Sequence, residues 1–325
     1  MTTDTPSNLL FCDYHPTPTD FLAEVRSGLN LKNKQISPKF FYDHRGSQLF
    51  EAICEQPEYY QTRTEIEILR HNKAEIAELI GPDCLLIEPG SGNSQKVRIL
   101  LDALNPKTYI PIDISKQHLE QTAHTLAGEY PWLTIFSLCA DFTTPLALPK
   151  ALSREKATRR VVFFPGSSIG NFEPRQAVLF MRGLAQLLGS GGGLLIGVDL
   201  EKDHDRLNSA YSDKKGVTAE FNLNLLRRIN RELKGDFDLC QFQHCAFYNG
   251  SEQRIEMHLQ SRIKQTVAID SHRFDFNQGE RIHTENSYKY SVESFQGYAA
   301  EAGFSAVRSW TDPDRLFSVH YFKVN

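Results

Sequence analysis

Residues 84–96 read CLLIEPGSGNSQK, a short apolar run that turns on Gly90 and Gly92. Residues 97–104 follow it, with apolar positions at helical spacing. Strand, glycine loop and helix in this order form the first unit of a nucleotide-binding α/β sheet. Because neither glycine carries a Cβ atom, the backbone of this loop can approach a ligand closely.

The ligand expected at this loop is an adenosine compound. Gln95 stands where the dinucleotide fingerprint has its third glycine, so the pattern departs from that of a dinucleotide site. Glu88 precedes the glycines, and Asp113 follows at the end of the next apolar run. These two acids fit an adenosine ligand without a pyrophosphate. The stretch therefore predicts a site for S-adenosylmethionine.

The alternation of strand and helix continues after the glycine loop. Strands are predicted at 108–113, 133–140, 160–164 and 194–198, with helical segments between them. Alternation at this spacing predicts a doubly wound, Rossmann-like sheet of the α/β class, in which ligands bind beyond the carboxyl ends of the strands. Polar residues stand at these ends: Glu88, Asp113, Asp141, Asn171 and Asp199.

The strand-end residues have the chemistry that an adenosine ligand needs. A carboxylate at Asp113 can accept hydrogen bonds from both ribose hydroxyls; the alternative is a turn or a helix cap. Asp141 can accept the exocyclic amine of adenine, and Phe142 offers a stacking face. Lys96 can face the methionine carboxylate or extend into solvent. Asn171 either places its amide at the mouth of the sheet or caps the following helix.

The composition is that of an ordinary soluble globular protein. The chain has 325 residues, of which 40% are hydrophobic and 23% charged, so it can form one large domain or two. Its net charge of −4 is opposite to the basic balance of nucleic-acid-binding proteins. The apolar runs are too short to span a membrane, and the N-terminus lacks the pattern of a secretory signal. We therefore expect a cytoplasmic protein with no nucleic-acid or membrane partner.

Six cysteines are scattered along the chain. The one close pair, Cys240 and Cys245, lacks metal-ligand spacing and a second partner pair. We therefore expect free thiols in a reducing compartment and no metal site.

The run 57–63 carries paired tyrosines and reads as a loop. Thr64 with Glu67 has the spacing of a capping box, which predicts a helix that begins there and ends before Gly81. The tyrosines of the loop are expected either to pack in a core or to line a site.

The alternating pattern ends near residue 199, and this break indicates a second domain. A long amphipathic helix is predicted around 221–233, followed by runs of β type. We predict a methyltransferase-type cofactor domain at 61–199 with 288–325. An additional α+β domain for the substrate is expected at 18–60 with 200–287, and a polar lead-in at 1–17.

Several motifs resemble the histidine-specific N-alpha-methyltransferases, the enzymes that make hercynine in ergothioneine biosynthesis. The resemblance extends from about residue 35 to the C-terminus, and its motifs fall in order through both predicted domains. They are PEYYQTRTE (57–65), IEPGSGNSQK (87–96), IPIDIS (110–115), FFPGSSIGNF (163–172), AYSDKKGVTAEFN (210–222), RIEMHL (254–259) and HTENSYKY (283–290). The resemblance implies a class I methyltransferase sheet and L-histidine as the substrate.

The resemblance also implies roles for individual residues. Asn171 and Tyr211 would hold the amino and carboxylate end of the amino acid. Tyr59, Glu285 and Ser287 would surround the imidazole. The walls of the site would be Tyr42, Phe50 and Met257.

Relatives that methylate tryptophan-type substrates share the fold, so the partners of the ring decide the substrate. A carboxylate at Glu285 and a hydroxyl at Ser287 can satisfy both nitrogens of an imidazole. An indole would leave the buried acid unpaired, which is costly. Histidine is therefore expected, with another aromatic amino acid or a small amine as the alternative. Asn286 departs from the small apolar residue expected between them.

The reaction follows from the methyl donor. The sulfonium methyl is already activated, so the enzyme must align the amine with the methyl–sulfur bond and exclude water. The amine must lose a proton in each round, to the hydroxyl of Tyr42 or to ordered water. Three transfers give a quaternary ammonium with no lone pair, and aromatic walls tolerate that cation.

Three other classes compete with this assignment. The acidic balance weighs against a nucleic-acid methyltransferase, and the missing third glycine weighs against an NAD-linked dehydrogenase. A non-catalytic adenosine-binding regulator is excluded only by turnover. We expect the enzyme to act as a monomer.

Overall fold

The computed structural model describes residues 6–14, 18–144, 148 and 159–325. None of the helices in these ranges has the length and hydropathy that a membrane span requires. Tertiary contacts divide the chain into two compact units. The first unit consists of Met1–His15, Gln61–Glu201 and Lys289–Asn325, and the second of Pro16–Tyr60 and Lys202–Tyr288. The ligands assigned to the corresponding domains remain predictions.

Within the part of the chain that the structure describes, eight strands form the sheet of the first unit. The strands are β1 (Leu9–Asp13), β2 (Leu85–Pro89), β3 (Thr108–Asp113), β4 (Thr134–Cys139), β5 (Arg160–Phe164), β6 (Gly193–Asp199), β12 (Phe304–Thr311) and β13 (Phe317–Val324). Their spatial order is β1-β4-β3-β2-β5-β6-β13-β12. The first six run parallel to one another, whereas β13 is antiparallel to both β6 and β12.

The order of this sheet reverses at β2, which lies between β3 and β5. Ligands of doubly wound sheets bind in the crevice at such a reversal. Every residue of β2 and β6 is buried, as expected for parallel strands with both faces covered. The predicted doubly wound α/β sheet is confirmed. The accompanying helices in the described residues are α3 (Tyr60–Ile80), α4 (Gln95–Leu104), α5 (Lys116–Glu129), α6 (Pro174–Leu188) and α9 (Val292–Glu301).

The predicted lead-in at 1–17 is wrong over β1. This strand pairs in parallel with β4, with Leu9 opposite Ile135. Asn8 anchors its start, because its side-chain amide donates to the carbonyl of Leu133 at 2.9 Å. Only Leu9 of the five residues is buried, so the strand carries no periodic apolar signal. Residues 1–5 and 15–17 of the predicted lead-in lie outside the described residues.

The predicted start of the helix at Thr64 is also wrong. Helix α3 begins at Tyr60, so Thr64 lies inside it and does not cap it. Tyr60 and Gln61 are both buried in the first turn. The run at 60–63 is therefore helical and partly buried, although its local sequence predicts a loop.

The described strands of the second unit are β7 (Phe242–Asn249), β8 (Arg254–Ser261), β9 (Gln265–Ile269), β10 (His272–Phe276) and β11 (Arg281–Tyr288). Three of them form an antiparallel sheet in the order β11-β8-β7, and β9 and β10 form a separate hairpin. The α-helices of this unit within the described residues are α1 (Pro18–Leu29), α2 (His44–Cys54), α7 (His204–Ala210) and α8 (Val217–Leu233).

Helix α8 is the long amphipathic helix that the sequence predicts. It contacts β7 and β8 as well as α2. Asp213 caps its start, because the carboxylate accepts the backbone N–H groups of Val217 at 2.9 Å and of Thr218 at 2.7 Å. The predicted apolar face is buried at Phe221, Leu225, Ile229 and Leu233.

A buried ion pair lies at the end of β6 in the first unit. Lys289 Nζ is 2.7 Å from Asp199 Oδ2, and both side chains have no exposed surface. The side-chain amide of Gln61 donates to the same oxygen at 3.4 Å. Gln61, Asp199 and Lys289 each stand within two residues of a boundary between the units. One carboxylate therefore ties together three of the four places where the chain passes from one unit to the other.

Replacing Lys289 with Met should lower the free energy of unfolding by about 3–5 kcal/mol, because Asp199 would keep a buried charge without its ion-pair partner. Urea denaturation followed by circular dichroism measures this change. The matched control is Arg308→Met, which removes a half-exposed ion pair with Glu75 at 2.9 Å. It should cost under about 1 kcal/mol. Equal losses in the two variants would contradict the importance assigned to burial.

Candidate active site

The glycine loop of the first unit follows β2 as predicted. Gly90 and Gly92 have positive φ angles of 71° and 51°, a region that glycine adopts without steric cost. The N–H of Gly90 donates to the carbonyl of Ile112 at 2.7 Å, which anchors the loop to β3. A Cβ atom on Gly92 would meet no described atom within 4 Å, so the loop opens on that side.

Asp113 holds this loop in place. Its Oδ2 accepts the N–H of Gly92 at 3.0 Å, and its Oδ1 accepts the N–H of Ser115 at 2.9 Å. Burial raises the pKa of the carboxyl above its usual value, against these hydrogen bonds. A carboxylate oxygen has a second lone pair, so these contacts are compatible with the predicted ribose hydrogen bonds. Asp113 therefore has the turn-stabilising role that the sequence offered as the alternative to ribose binding.

Phe142 lies against the glycine loop. A Cβ atom on Gly90 would be 3.3 Å from Cε1 of the Phe142 ring. The ring also packs edge-on against Phe164, with centroids 5.7 Å apart. Asp141 is buried, and its Oδ1 accepts the N–H of Thr143 at 2.9 Å. The adjacent Asp141 and Phe142 therefore reach this end of the sheet together, as their predicted adenine contacts require.

Glu88 lies beneath the loop. Its side chain is buried, and the hydroxyl of Tyr109 donates to its carboxylate. Burial raises the pKa of Glu88 from 4.5 to about 8, although the hydrogen bond from Tyr109 opposes the shift. The carboxyl thus carries a proton over much of the neutral range.

Lys96 has a partner that sequence reasoning missed. Its Nζ is 2.6 Å from Oε2 of Glu65, which has no exposed surface. The N–H of Gly166 donates to the same oxygen at 2.9 Å. On β6, a Cβ atom on Gly197 would lie only 1.9 Å from Oε1 of Glu65, so a glycine is required there. Glu65 stands in the motif at 57–65, which was its only signal in the sequence.

The segment after β5 contains two consecutive residues with left-handed backbone, which the sequence did not predict. Gly166 and Ser167 have φ angles of 80° and 58°. A turn of 3-10 helix follows over Ser168–Asn171. The hydroxyl of Ser167 accepts the backbone N–H of Asp199 at 2.9 Å, which ties this segment to the end of β6. Asn171 is half-buried at the end of the turn, and its predicted contact with the amino acid stays a prediction.

In the second unit, aromatic residues predicted to form the substrate walls come together. The ring centroid of Phe50 lies 5.8 Å from that of Tyr42 and 6.3 Å from that of Tyr59. Phe221 from α8 completes the group, 5.8 Å from Tyr42. Burial raises the pKa of Tyr59 well above its usual value, so this hydroxyl stays protonated. We call Tyr42, Phe50, Tyr59, Tyr211 and Phe221 the aromatic cluster.

Polar groups border the aromatic cluster. The ring of Tyr211 is 6.2 Å from that of Tyr59, and its hydroxyl donates to Oγ of Ser287 at 2.7 Å. Glu285 on β11 pairs with Met257 on β8, so both side chains lie on one face of the sheet. Glu285 is close enough to Tyr59 to raise its pKa further. The second unit therefore brings together Tyr42, Phe50, Tyr59, Tyr211, Glu285 and Ser287, with Met257 beside Glu285.

The chain matches the family described as histidine-specific methyltransferase, SAM-dependent, over residues 21–324. The chain belongs to this family. It is 44% identical over 297 residues to the histidine N-alpha-methyltransferase of Mycolicibacterium smegmatis. The aligned region covers 89% of this chain and 90% of that protein. The histidine N-alpha-methyltransferase of Mycobacterium tuberculosis is 42% identical over 296 residues, with the same coverage. The ergothioneine biosynthesis protein 1 of Neurospora crassa is 33% identical over 307 residues, 86% of this chain but 32% of that protein.

Membership of the histidine-specific methyltransferase family confirms the resemblance that the motifs indicated. It also confirms that the chain is an enzyme of the S-adenosylmethionine-dependent methyltransferase class, with S-adenosylmethionine as the methyl donor. The contacts of individual residues with cofactor and substrate remain predictions. So do the monomeric state, the cytoplasmic location and the expected absence of a metal and of a nucleic-acid partner.

Replacing Glu88 with Gln should make stability less dependent on pH. The unfolded chain releases the proton of Glu88 near pH 4.5, whereas the folded protein keeps it to about pH 8. Stability must therefore fall as pH rises through this window, and the variant loses that dependence. The measurement is the melting temperature of both proteins between these values. The exposed Glu78→Gln is the control and should follow the wild type. A variant curve parallel to the wild-type curve would contradict the raised pKa.

Proposed function

We propose that this chain methylates the α-amino group of L-histidine with S-adenosylmethionine, and that three transfers give hercynine for ergothioneine biosynthesis. The observation that carries this proposal is the polar set of Tyr211, Ser287 and Glu285 at the border of the aromatic cluster. The family of the chain supports the same substrate.

The hydroxyl groups suit an imidazole with two distinct nitrogens. Because Ser287 accepts a hydrogen bond from Tyr211, its own proton can be donated to the unprotonated ring nitrogen. The carboxylate of Glu285 would accept the N–H of the other ring nitrogen. An indole has a single N–H and no acceptor nitrogen, so it satisfies one of these groups only. The pair thus favours histidine over tryptophan.

The aromatic cluster suits the growing charge of the product. Each methyl transfer leaves a cation, and the faces of Tyr42 and Phe50 can stabilise it by cation–π attraction. Tyr59 keeps its proton because burial raises its pKa, so it is a poor acceptor for the proton of the amine. This leaves Tyr42 or ordered water as the acceptor.

Cofactor binding is assigned to the loop of the first unit. We assign the ribose to Asp113, and the adenine to Asp141 and Phe142, which stands at the glycine loop. Lys96, already paired with Glu65, is assigned to the methionine carboxylate. An ammonium has three donors, so one ion pair is compatible with a second acceptor.

Mass spectrometry of products tests the function as a whole. The enzyme is incubated with S-adenosylmethionine and an equimolar pool of the twenty amino acids. We expect mono-, di- and trimethylated histidine in sequence, with the trimethylated form accumulating. The control is the same mixture without S-adenosylmethionine. Preferred methylation of another amino acid would contradict the substrate, and no product at all would favour a non-catalytic binding protein.

Replacing Glu285 with Ala should lower kcat/KM for histidine while leaving S-adenosylmethionine affinity unchanged. A charge-assisted hydrogen bond contributes about 1.5–3 kcal/mol, so the loss should be about 10- to 150-fold. Initial rates give the first quantity and calorimetric titration the second. The control is the exposed Glu252→Ala in the same unit, which should match the wild type. An unchanged kcat/KM in a folded variant would remove Glu285 from the site.

A further inference from the structure

The three-stranded sheet of the second unit has a second polar face. Side chains alternate along β8, so Met257 lies on one face while its neighbours Glu256 and His258 lie on the other. His258 stands directly opposite His283 on β11. The proposed methyl transfer assigns no role to these residues. We call Glu256, His258 and His283 the histidine–carboxylate cluster.

The cluster has donor atoms at the spacing of a metal site. One nitrogen or oxygen from each of its three residues lies within 4.8 Å of the other two. Oε2 of Glu256 is 3.0 Å from Nε2 of His258, and the two imidazole rings have centroids 5.0 Å apart. Two donors on a tetrahedral ion with bonds of 2.0–2.1 Å are about 3.3 Å apart. To bind one ion, the three donor atoms must therefore move closer together.

His258 has an unsatisfied nitrogen in this buried place. Only 8% of the residue is exposed. Its Nδ1 has no hydrogen-bond partner among the described residues, while Nε2 faces Glu256. A buried polar atom without a partner is costly and is unusual in a native protein. Nε2 is the nitrogen that lies next to Glu256, so it is the atom positioned to share an ion with that carboxylate.

The surroundings select the kind of ion. Arg254 lies 2.8 Å from Glu256, and Asn249 donates to the same carboxylate at 2.9 Å. Arg281 lies over the ring of Phe247, which stacks on His258. Two guanidinium groups near the cluster repel any cation, so a bound ion needs strong bonds to the imidazole nitrogens. An ion with high affinity for imidazole nitrogen, such as Zn²⁺, fits better than Mg²⁺ or Ca²⁺.

We propose that Glu256, His258 and His283 bind a divalent transition-metal ion, with Zn²⁺ as the best fit. The ion would join β8 to β11 on the face opposite Met257 and Glu285. It has a structural role and is independent of the proposed methyl transfer. This proposal differs from the expectation, based on the spacing of the cysteines, that the protein has no metal site.

Zinc retention by the full-length, tag-free protein tests the proposal. The protein is stripped with a chelator, loaded with Zn²⁺, desalted and analysed by plasma mass spectrometry. We expect about one ion per chain, as for a single site. Zn²⁺ should raise the melting temperature, whereas Mg²⁺ at the same concentration should not. A wild-type protein that retains no zinc and shows no zinc-dependent shift overturns the proposal.

Two variants locate the ion. His283→Gln should bind Zn²⁺ at least about 100-fold more weakly, since loss of even an outer-shell partner costs 10- to 100-fold. The matched control is His272→Gln on β10 of the same unit, which should bind like the wild type. Equal zinc binding by His283→Gln and the wild type places the ion elsewhere and overturns the proposal.

The absorption spectrum of the Co²⁺-loaded wild type keeps the test decisive if His283→Gln does not fold. Nitrogen and oxygen donors in a closed, low-coordinate site should give visible bands stronger than those of aqueous Co²⁺. A spectrum identical to that of aqueous Co²⁺ contradicts the site.

Discussion

Burial of charged groups is the constraint on which the first unit depends. Asp199 has no exposed surface, so its charge must be compensated within the protein. Lys289 supplies the compensating charge and Gln61 a hydrogen bond. These partners come from segments far apart in the sequence, and the backbone N–H of Asp199 reaches a fourth segment at Ser167. The pair is satisfied only when all these segments are in place, which makes the end of β6 specific to one arrangement.

Three buried acids of the first unit have different partners. Glu65 is paired with Lys96 at 2.6 Å, and Asp199 with Lys289 at 2.7 Å. Glu88 receives its hydrogen bond from the neutral Tyr109, and burial raises its pKa to about 8. A nearby cation favours the charged form of an acid, whereas burial favours the protonated form. These buried acids of one unit therefore have different electrostatic surroundings.

The two faces of the sheet in the second unit are assigned to two kinds of chemistry, because side chains alternate along a strand. Met257, with Glu285 opposite it, lies on the face assigned to histidine. Glu256 and His258 flank Met257 in sequence and lie on the other face, where His283 joins them. A one-residue change of register would exchange these two faces. The bulge of β11 between His283 and Glu285 lets both residues keep their positions on opposite faces.

The amino-acid sequence by itself determined the alternating strands and helices, the glycine loop and the family motifs. These are local signals: periodicity, turn chemistry and short motifs can all be read within a few residues. It also brought out the aromatic and polar residues of the second unit, through the resemblance. It could not show β1, where one buried leucine carries no period, or the start of α3 at Tyr60.

Only the tertiary structure paired Lys96 with Glu65, Asp199 with Lys289, and His258 with His283. In each case the partners lie on different elements, and strand register or helix packing decides which side chains meet. Electrostatic compensation and metal-type donor spacing depend on distances of a few ångströms in space. The number of residues between two positions does not predict those distances, because only the fold brings such residues together.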